Sequence, residues 1–252
     1  MTGAGRTEFL GIGFDVICAR EARMRLLELA QSRSFSYLVT PNVDHVVQLH
    51  RRARGDPLWR AYAEAELCLC DSRILEALAR RSHVTLTVVT GSDLTAELLD
   101  EISRTARSLA VVGGTGQMVQ DLQVRFPNLR WHHHSPPMGV GSNPVARQEI
   151  VEFVERTAAD ITFLAIGAPQ SELLCSALAQ RNAARGVALC IGASLEFLTG
   201  AKARAPRWMQ RARLEWLFRL LSEPRRLARR YLLNGPAIFT IWSRWKGQRR
   251  NA

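Results

Sequence analysis

The sequence predicts an α/β protein: two Rossmann-like lobes with largely parallel sheets, residues 1–85 and 86–199, followed by a basic helical C-terminal appendage, residues 200–252. Three observations carry this. Short apolar, β-branched runs alternate with segments of helical periodicity, the pattern of repeated strand–helix units. Each run empties into a polar turn rich in Gly, Thr, Asn, Asp or Ser. And the charge is segregated. Residues 200–252 hold 14 Lys/Arg against 2 Asp/Glu, whereas the chain as a whole holds 34 against 23, so residues 1–199 are close to balance at 20 against 21.

In order, Phe9 to Ile12 is a short apolar run, and Glu21–Ala30 is helical, with Ala22, Leu26 and Leu29 on one side. Tyr37-Leu38-Val39 is a buried strand ending in Thr40-Pro41-Asn42, where Thr and Asn serve either as helix caps or as polar ligands in a cleft. Leu67–Cys70 is another strand-like run, closing on Asp71-Ser72-Arg73 before a helix from Ile74. An acid there is an N-cap or a group at a cleft mouth. Val84–Val89 leads into Thr90-Gly91.

Leu109–Val112 opens a second series, with Gly113-Gly114-Thr115-Gly116 between strand and helix. Such a turn lets backbone N–H groups approach a phosphate or ribose. The full dinucleotide fingerprint, a third Gly and a later acid, is missing, which disfavours a nicotinamide-dependent oxidoreductase. Trp131-His132-His133-His134 reads as extended, so only His132 and His134 share a face, too few for a metal site. Ile161–Ile166 is a buried strand running into Gly167-Ala168-Pro169-Gln170-Ser171-Glu172, and Val187–Ile191 runs into Gly192–Phe197, which carries Glu196.

Hydrophobic residues make up 47% of 252, enough for a substantial core. The N-terminus lacks the apolar run of a signal peptide, and no stretch approaches the roughly 18 apolar residues of a membrane-spanning helix. Five cysteines without metal spacing read as reduced thiols of a cytosolic protein. In the appendage, Leu214, Leu217, Phe218 and Leu221 form one apolar helical stripe, and Pro224 starts a second helix with Arg225, Arg226, Arg229 and Arg230 on one face. Trp208, Trp216, Trp242 and Trp245 mixed with cations suit the interface of an anionic membrane leaflet.

RAPRWMQ, LEWLFRLLSEPRRLARRYL, GAPQSE and IGASLEFLTG resemble the WecG/TagA/CpsF glycosyltransferases, from about Phe9 to Phe239, and Ser135–Gly139 resembles the exopolysaccharide-assembly branch. The resemblance implies transfer of a hexose or N-acetylhexosamine-type sugar from a nucleotide sugar, UDP-linked, to a polyprenyl-diphosphate-linked acceptor in bacterial surface polysaccharide synthesis. It implies an N-terminal lobe with Asp71 as general base beside Thr40 and Asn42. The second lobe would bind the donor through Gly113, Gly114, Gly116, Gly167, Gln170 and Glu196. Arg219, Arg226 and Arg229 would meet the departing diphosphate. Departures from the family text stand at Ser72 for Gly, Val88 for Arg, Gln170 for Lys, Ser171 for Gln and Glu196 for Asp. No DxD motif is present, so the expectation is a metal-independent enzyme without cofactor, and the resemblance implies an inverting one. It would be cytoplasmic and peripheral on the inner face of the membrane, bound to an anionic surface by the appendage, with no nucleic-acid partner and with a homo-oligomer left open. The rival is a nucleic-acid-binding module with a basic C-terminal arm, which explains the charge but leaves the cleft motifs without purpose.

Overall fold

The computed structural model describes residues 5–203, 205–206, 209, 215–228, 232 and 235–250, without the side chains of Glu215, Arg219, Arg226 and Arg250. An antiparallel hairpin, β1 (Thr7–Phe9) and β2 (Ile12–Phe14), precedes α1 (Ala19–Leu29). Then come β3 (Phe35–Val39), α2 (Val43–His50), α3 (Pro57–Glu64), β4 (Leu67–Cys68), α4 (Arg73–Arg80) and α5 (Gly91–Ile102). The second series is β5 (Ser108–Gly113), α6 (Gly116–Arg125), β6 (Arg130–His134), α7 (Pro144–Thr157), β7 (Ile161–Ala165), α8 (Gln170–Arg181), β8 (Gly186–Cys190) and α9 (Ser194–Leu198). Beyond Gly200 lie α10 (Glu215–Ser222), α11 (Pro224–Ala228) and α12 (Ala237–Arg250).

The α/β class and the parallel pairing expected from the alternating runs are present, in a six-stranded sheet of order β4-β3-β8-β7-β5-β6. The expectation of a separate sheet on either side of residue 85 is corrected. β3 pairs with β8 along its length, from Phe35↔Gly186 to Val39↔Cys190, so both series build one sheet. The reason is that Tyr37, Leu38 and Val39, like Val187, Ala188 and Leu189, are buried on both faces. Strands apolar on both faces belong in a sheet interior, between two layers of helices. Of the run Val84–Val89, Val88 alone joins the sheet, by a parallel bridge to Cys70.

Two apolar cores, one per face, hold the helices. Tyr37, Val39, Val112, Leu164 and Cys190 pack with residues of α2, α3, α4, α7 and α8. Leu38, Leu109, Val111, Phe163 and Leu189 pack with residues of α1, α5, α6 and α9. The alternation along each strand is the period of two of a pleated sheet. The distribution follows the right-handed crossover rule: connections that step one way across the sheet lie on one face, and those that step back lie on the other.

The C-terminal segment is built into this body. In α12, Ile238 and Trp245 are buried members of the first core. The Trp245 ring meets Phe9 edge-on at 5.1 Å, and its indole N–H donates to Glu8 Oε1 at 3.3 Å. Trp242 is half-buried and donates to Ser82 Oγ at 2.7 Å. These two tryptophans therefore anchor a helix to the protein, which corrects the expectation that they present their rings to a membrane. An indole joins a large apolar body to one donor, and the hairpin and Ser82 satisfy both halves. The apolar stripe of α10 is also only partly packed: Leu217 and Phe218 are half-buried, whereas Leu221 is 71% exposed. Leu214, Trp208, Arg229 and Arg230 lie outside the described residues.

Candidate active site at the carboxyl edge of the sheet

All six strands point their carboxyl ends the same way, so the loops that follow them share one edge. Loops leading to α2, α4, α7 and α8 turn towards one face, and those leading to α5, α6 and α9 turn towards the other. Between loops that diverge in this way an open parallel sheet has its binding crevice.

On the β3–β4 side the loops are tied to one another. The Asp71 N–H donates to the Pro41 carbonyl at 3.1 Å, joining the loop after β4 to the loop after β3. Thr40 is buried, and its hydroxyl donates to the Cys190 carbonyl at 3.4 Å. A Cβ placed on Gly91 would stand 3.1 Å from Thr40 Oγ1 and 3.6 Å from Ser194 Oγ. Thr40, Gly91 and Ser194 thus converge at one point, with the backbone of α5 held close because residue 91 has no side chain.

The competing assignment of Asp71 as a helix cap does not hold. The N-cap of α4 is Ser72, whose Oγ accepts from Leu75 N at 3.2 Å. The replacement of the family's Gly by Ser at this position thus supplies the cap and relieves Asp71 of it. Asn42, by contrast, does cap: its Oδ1 accepts from Asp44 N at 3.0 Å, at the head of α2. Its backbone N–H donates to His45 Nδ1 at 3.3 Å.

On the β5–β7 side, Gly113 and Gly114 both take left-handed backbone, φ +93° and +71°. At Gly113 a Cβ would stand 2.9 Å from the Ala165 carbonyl, so the turn can lie against β7 only as glycine. Gly116 is the first residue of α6, behind the cap Thr115, whose Oγ1 accepts from Met118 N at 3.2 Å. Gly167 is also left-handed, φ +81°, and its carbonyl accepts from the Ser171 hydroxyl at 3.2 Å. The Gln170 amide, turned with its nitrogen towards its own loop, donates to the carbonyls of Ala168 at 3.1 Å and Gly167 at 3.3 Å. Its side chain therefore braces the loop.

Glu196, in the short helix α9, forms an ion pair with Lys202 at 2.7 Å. A cavity of about 230 Å³ opens beside this pair, lined by Phe197, Ala201, Lys202, Ala203, Ser222 and Glu223. It joins the loop after α9 to the junction of α10 and α11. Arg229 lies outside the described residues, as do the side chains of Arg219 and Arg226.

Along the edge, the sheet brings Thr40, Asn42 and Asp71 to one end of the crevice and Gly113, Gly114 and Gly116 to the other. Two strands intervene between β3 and β5. At about 4.8 Å per strand the two ends stand about 14 Å apart, a span suited to an extended ligand.

The triple histidine divides as an extended strand requires. His133 bonds the Gly113 carbonyl at 3.1 Å, His132 is exposed, and His134 stacks on Phe153 at 5.3 Å with its Nε2 buried and unpartnered among the described residues. His133 thus braces the glycine turn from the neighbouring strand, a role its residue type alone did not reveal. Ser194 was equally hidden, as a small polar residue that only folding carries to Thr40. Glu172 was legible in principle: it falls three residues before Cys175, on the buried stripe of α8.

A single parallel sheet with diverging loops, a glycine turn at one end and an acid that does not cap its helix at the other is an α/β architecture with a crevice at its carboxyl edge. The chain matches the model of the glycosyl transferase WecG/TagA/CpsF family over residues 7–252, and it belongs to that family. It is a glycosyltransferase, with a sugar donor and an acceptor as its substrates.

Proposed function

We infer that the enzyme moves a hexose or N-acetylhexosamine-type sugar from a UDP-sugar to a polyprenyl-diphosphate-linked acceptor in surface polysaccharide synthesis. The observation that carries the reading is the division of labour at residues 71 and 72. Ser72 caps α4, and Asp71 stands at the carboxyl end of β4 beside the Thr40–Asn42 loop. In the reaction the acceptor hydroxyl oxygen forms the new bond to the anomeric carbon and gives its proton to the Asp71 carboxylate. The bond to the diphosphate breaks from the opposite side, inverting the centre, and the nucleoside diphosphate leaves with the electron pair.

The donor lies across the crevice, its phosphates against the N–H groups of Gly113–Gly116 and the first turn of α6. Arg219, Arg226 and Arg229 of the basic segment stabilise the departing charge, without metal and without cofactor. The charge of residues 200–252 also supports residence on the anionic inner face of the cytoplasmic membrane. Among the described residues no helix is long and apolar enough to cross a membrane. Membership of a transferase family leaves the nucleic-acid-binding alternative without support.

The test is a panel of nucleotide sugars assayed against polyprenyl-diphosphate-linked acceptors, with Asp71→Asn as control. Transfer from a UDP-sugar that is lost in the variant is the expected result. Transfer only to water-soluble acceptors, or from donors of another nucleotide, overturns the assignment.

A further inference from the structure

Helices α4 and α12 meet along one flank of the protein. In α4, Ile74, Ala77, Leu78 and Arg81 recur at i, i+3, i+4 and i+7, one stripe at the margin of the buried face. In α12, Ile238 and Trp245 enter the core, and Phe239 and Trp242 stand on the neighbouring stripe. The bond from the Trp242 indole to Ser82 Oγ, 2.7 Å, fixes α12 against the end of α4. Between the two stripes lies a slot of about 290 Å³, lined by Ile74, Ala77, Leu78, Arg81 and Phe239. The small side chain of Ala77 gives the slot its depth, and Phe239, 55% exposed, forms its outer wall. Ligand sites run to about 300–1,000 Å³, so this one has room for a section of an apolar chain and not for a whole ligand.

Its place in the fold gives it a direction. Ile74 is the second residue of α4, so the slot opens in the first turn behind Asp71 and runs about 10 Å along the helix axis to Arg81. Cations bracket it. Arg73 is exposed at the head of α4, between Asp71 and the slot, and Arg81 closes the far end. The acid of α4, Glu76, is paired with Arg80 at 3.4 Å. α12 carries Arg244, Lys246, Arg249 and Arg250 and no acid, with Lys246 Nζ 5.0 Å from the centre of the Trp242 ring. An apolar slot bracketed by positive charge complements an apolar chain that bears an anionic group, and it repels a basic partner.

We propose that this slot seats the first section of the acceptor's isoprenoid chain, with Arg73 on the diphosphate. The inference rests on the acceptor class given above. The order along α4 of acid, cation and apolar slot is then the order of groups in the acceptor: hydroxyl-bearing sugar, diphosphate, isoprenoid. Burying the start of the chain supplies binding energy remote from the reacting atoms and orients the hydroxyl towards Asp71. The rest of the chain leaves past Arg81 and Lys246, cations that suit an anionic leaflet.

The probe is geranylgeranyl diphosphate, which carries diphosphate and isoprenoid but no sugar. Its binding to the full-length protein is read by titration calorimetry, with UDP titrated in parallel. Ala77→Trp fills the slot and Phe239→Ala removes its outer wall. Each should weaken the probe by about tenfold or more, with melting temperature and UDP affinity unchanged. Arg73→Ala should also weaken it and flatten its dependence on salt. Cosedimentation with phosphatidylglycerol vesicles should be the same for wild type and both slot variants. Four results would each overturn the proposal. They are a wild type that does not bind the probe, slot variants that bind it as wild type does, and a parallel loss of vesicle binding, which makes the slot a membrane contact. The fourth is a changed oligomeric state of Ala77→Trp in sedimentation velocity, which makes it a seam between two copies. Slot-dependent binding of the probe without transfer to any polyprenyl-diphosphate-linked acceptor would leave the slot standing and overturn the assigned reaction instead.

Discussion

Replacing Asp71 by Asn removes the proposed base while keeping volume and hydrogen-bonding reach, and the structure separates an effect on chemistry from one on the helix cap. The cap of α4 resides in Ser72, and the tie from residue 71 to Pro41 is made by backbone N–H, so neither is touched by the substitution. Stability should therefore stay within about 0.5 kcal/mol of wild type. Loss of a positioned general base costs about 10²–10⁴ in rate. At about 1.36 kcal/mol per decade, that is about 2.7–5.5 kcal/mol of transition-state stabilisation. Single-turnover transfer with enzyme in excess reads the chemical step, and calorimetric titration with UDP reads donor-side binding, which should be unchanged. Ser72→Ala is the reciprocal control: it should lose about 1 kcal/mol of stability with the cap, and far less rate. If Asp71→Asn turns over within a few-fold of wild type, or if the two variants exchange these signatures, Asp71 is not the base.

Trp245→Ala should cost about 3–5 kcal/mol in denaturant unfolding, since it vacates a core position against Phe9 and orphans part of the hairpin. By the same contacts, a chain ending at residue 199 loses Ile238 and Trp245 from the core. Such a fragment should melt far below the full chain; a fragment of unchanged melting temperature would refute the docking of α12. Gly113→Ala, with φ +93° and a Cβ 2.9 Å from the Ala165 carbonyl, should destabilise by more than about 1 kcal/mol and weaken UDP binding in titration calorimetry. Transfer should survive exhaustive EDTA, and restoration by Mg²⁺ or Mn²⁺ of activity lost to chelator would refute leaving-group stabilisation by arginine alone.

Much of this was legible along the chain. Strand–helix alternation marks parallel α/β structure because period-2 and period-3.6 patterns are local properties, and the turn residues at each strand end follow from backbone geometry. Thr40, Asn42, Asp71 and the glycine turn could be named from their positions at strand ends. The sequence by itself thus determined the fold class and the edge of the sheet at which these residues gather.

What it could not determine were relations between distant residues. Apolar runs state that a strand is buried on both faces but not beside which strand, so the pairing of β3 with β8 into one sheet emerged only in three dimensions. Two adjacent polar residues can each cap a helix, and only backbone dihedrals decide that Ser72 does so in place of Asp71. A tryptophan amid cations suits a membrane surface or a protein core equally well, and the partners that decide for the core, Phe9 and Glu8, lie at the other end of the chain. Burial, unlike periodicity, is a property of the whole fold. The same is true of Glu172, whose carboxyl group is buried among α8, α3 and β8, with one oxygen unpartnered among the described residues.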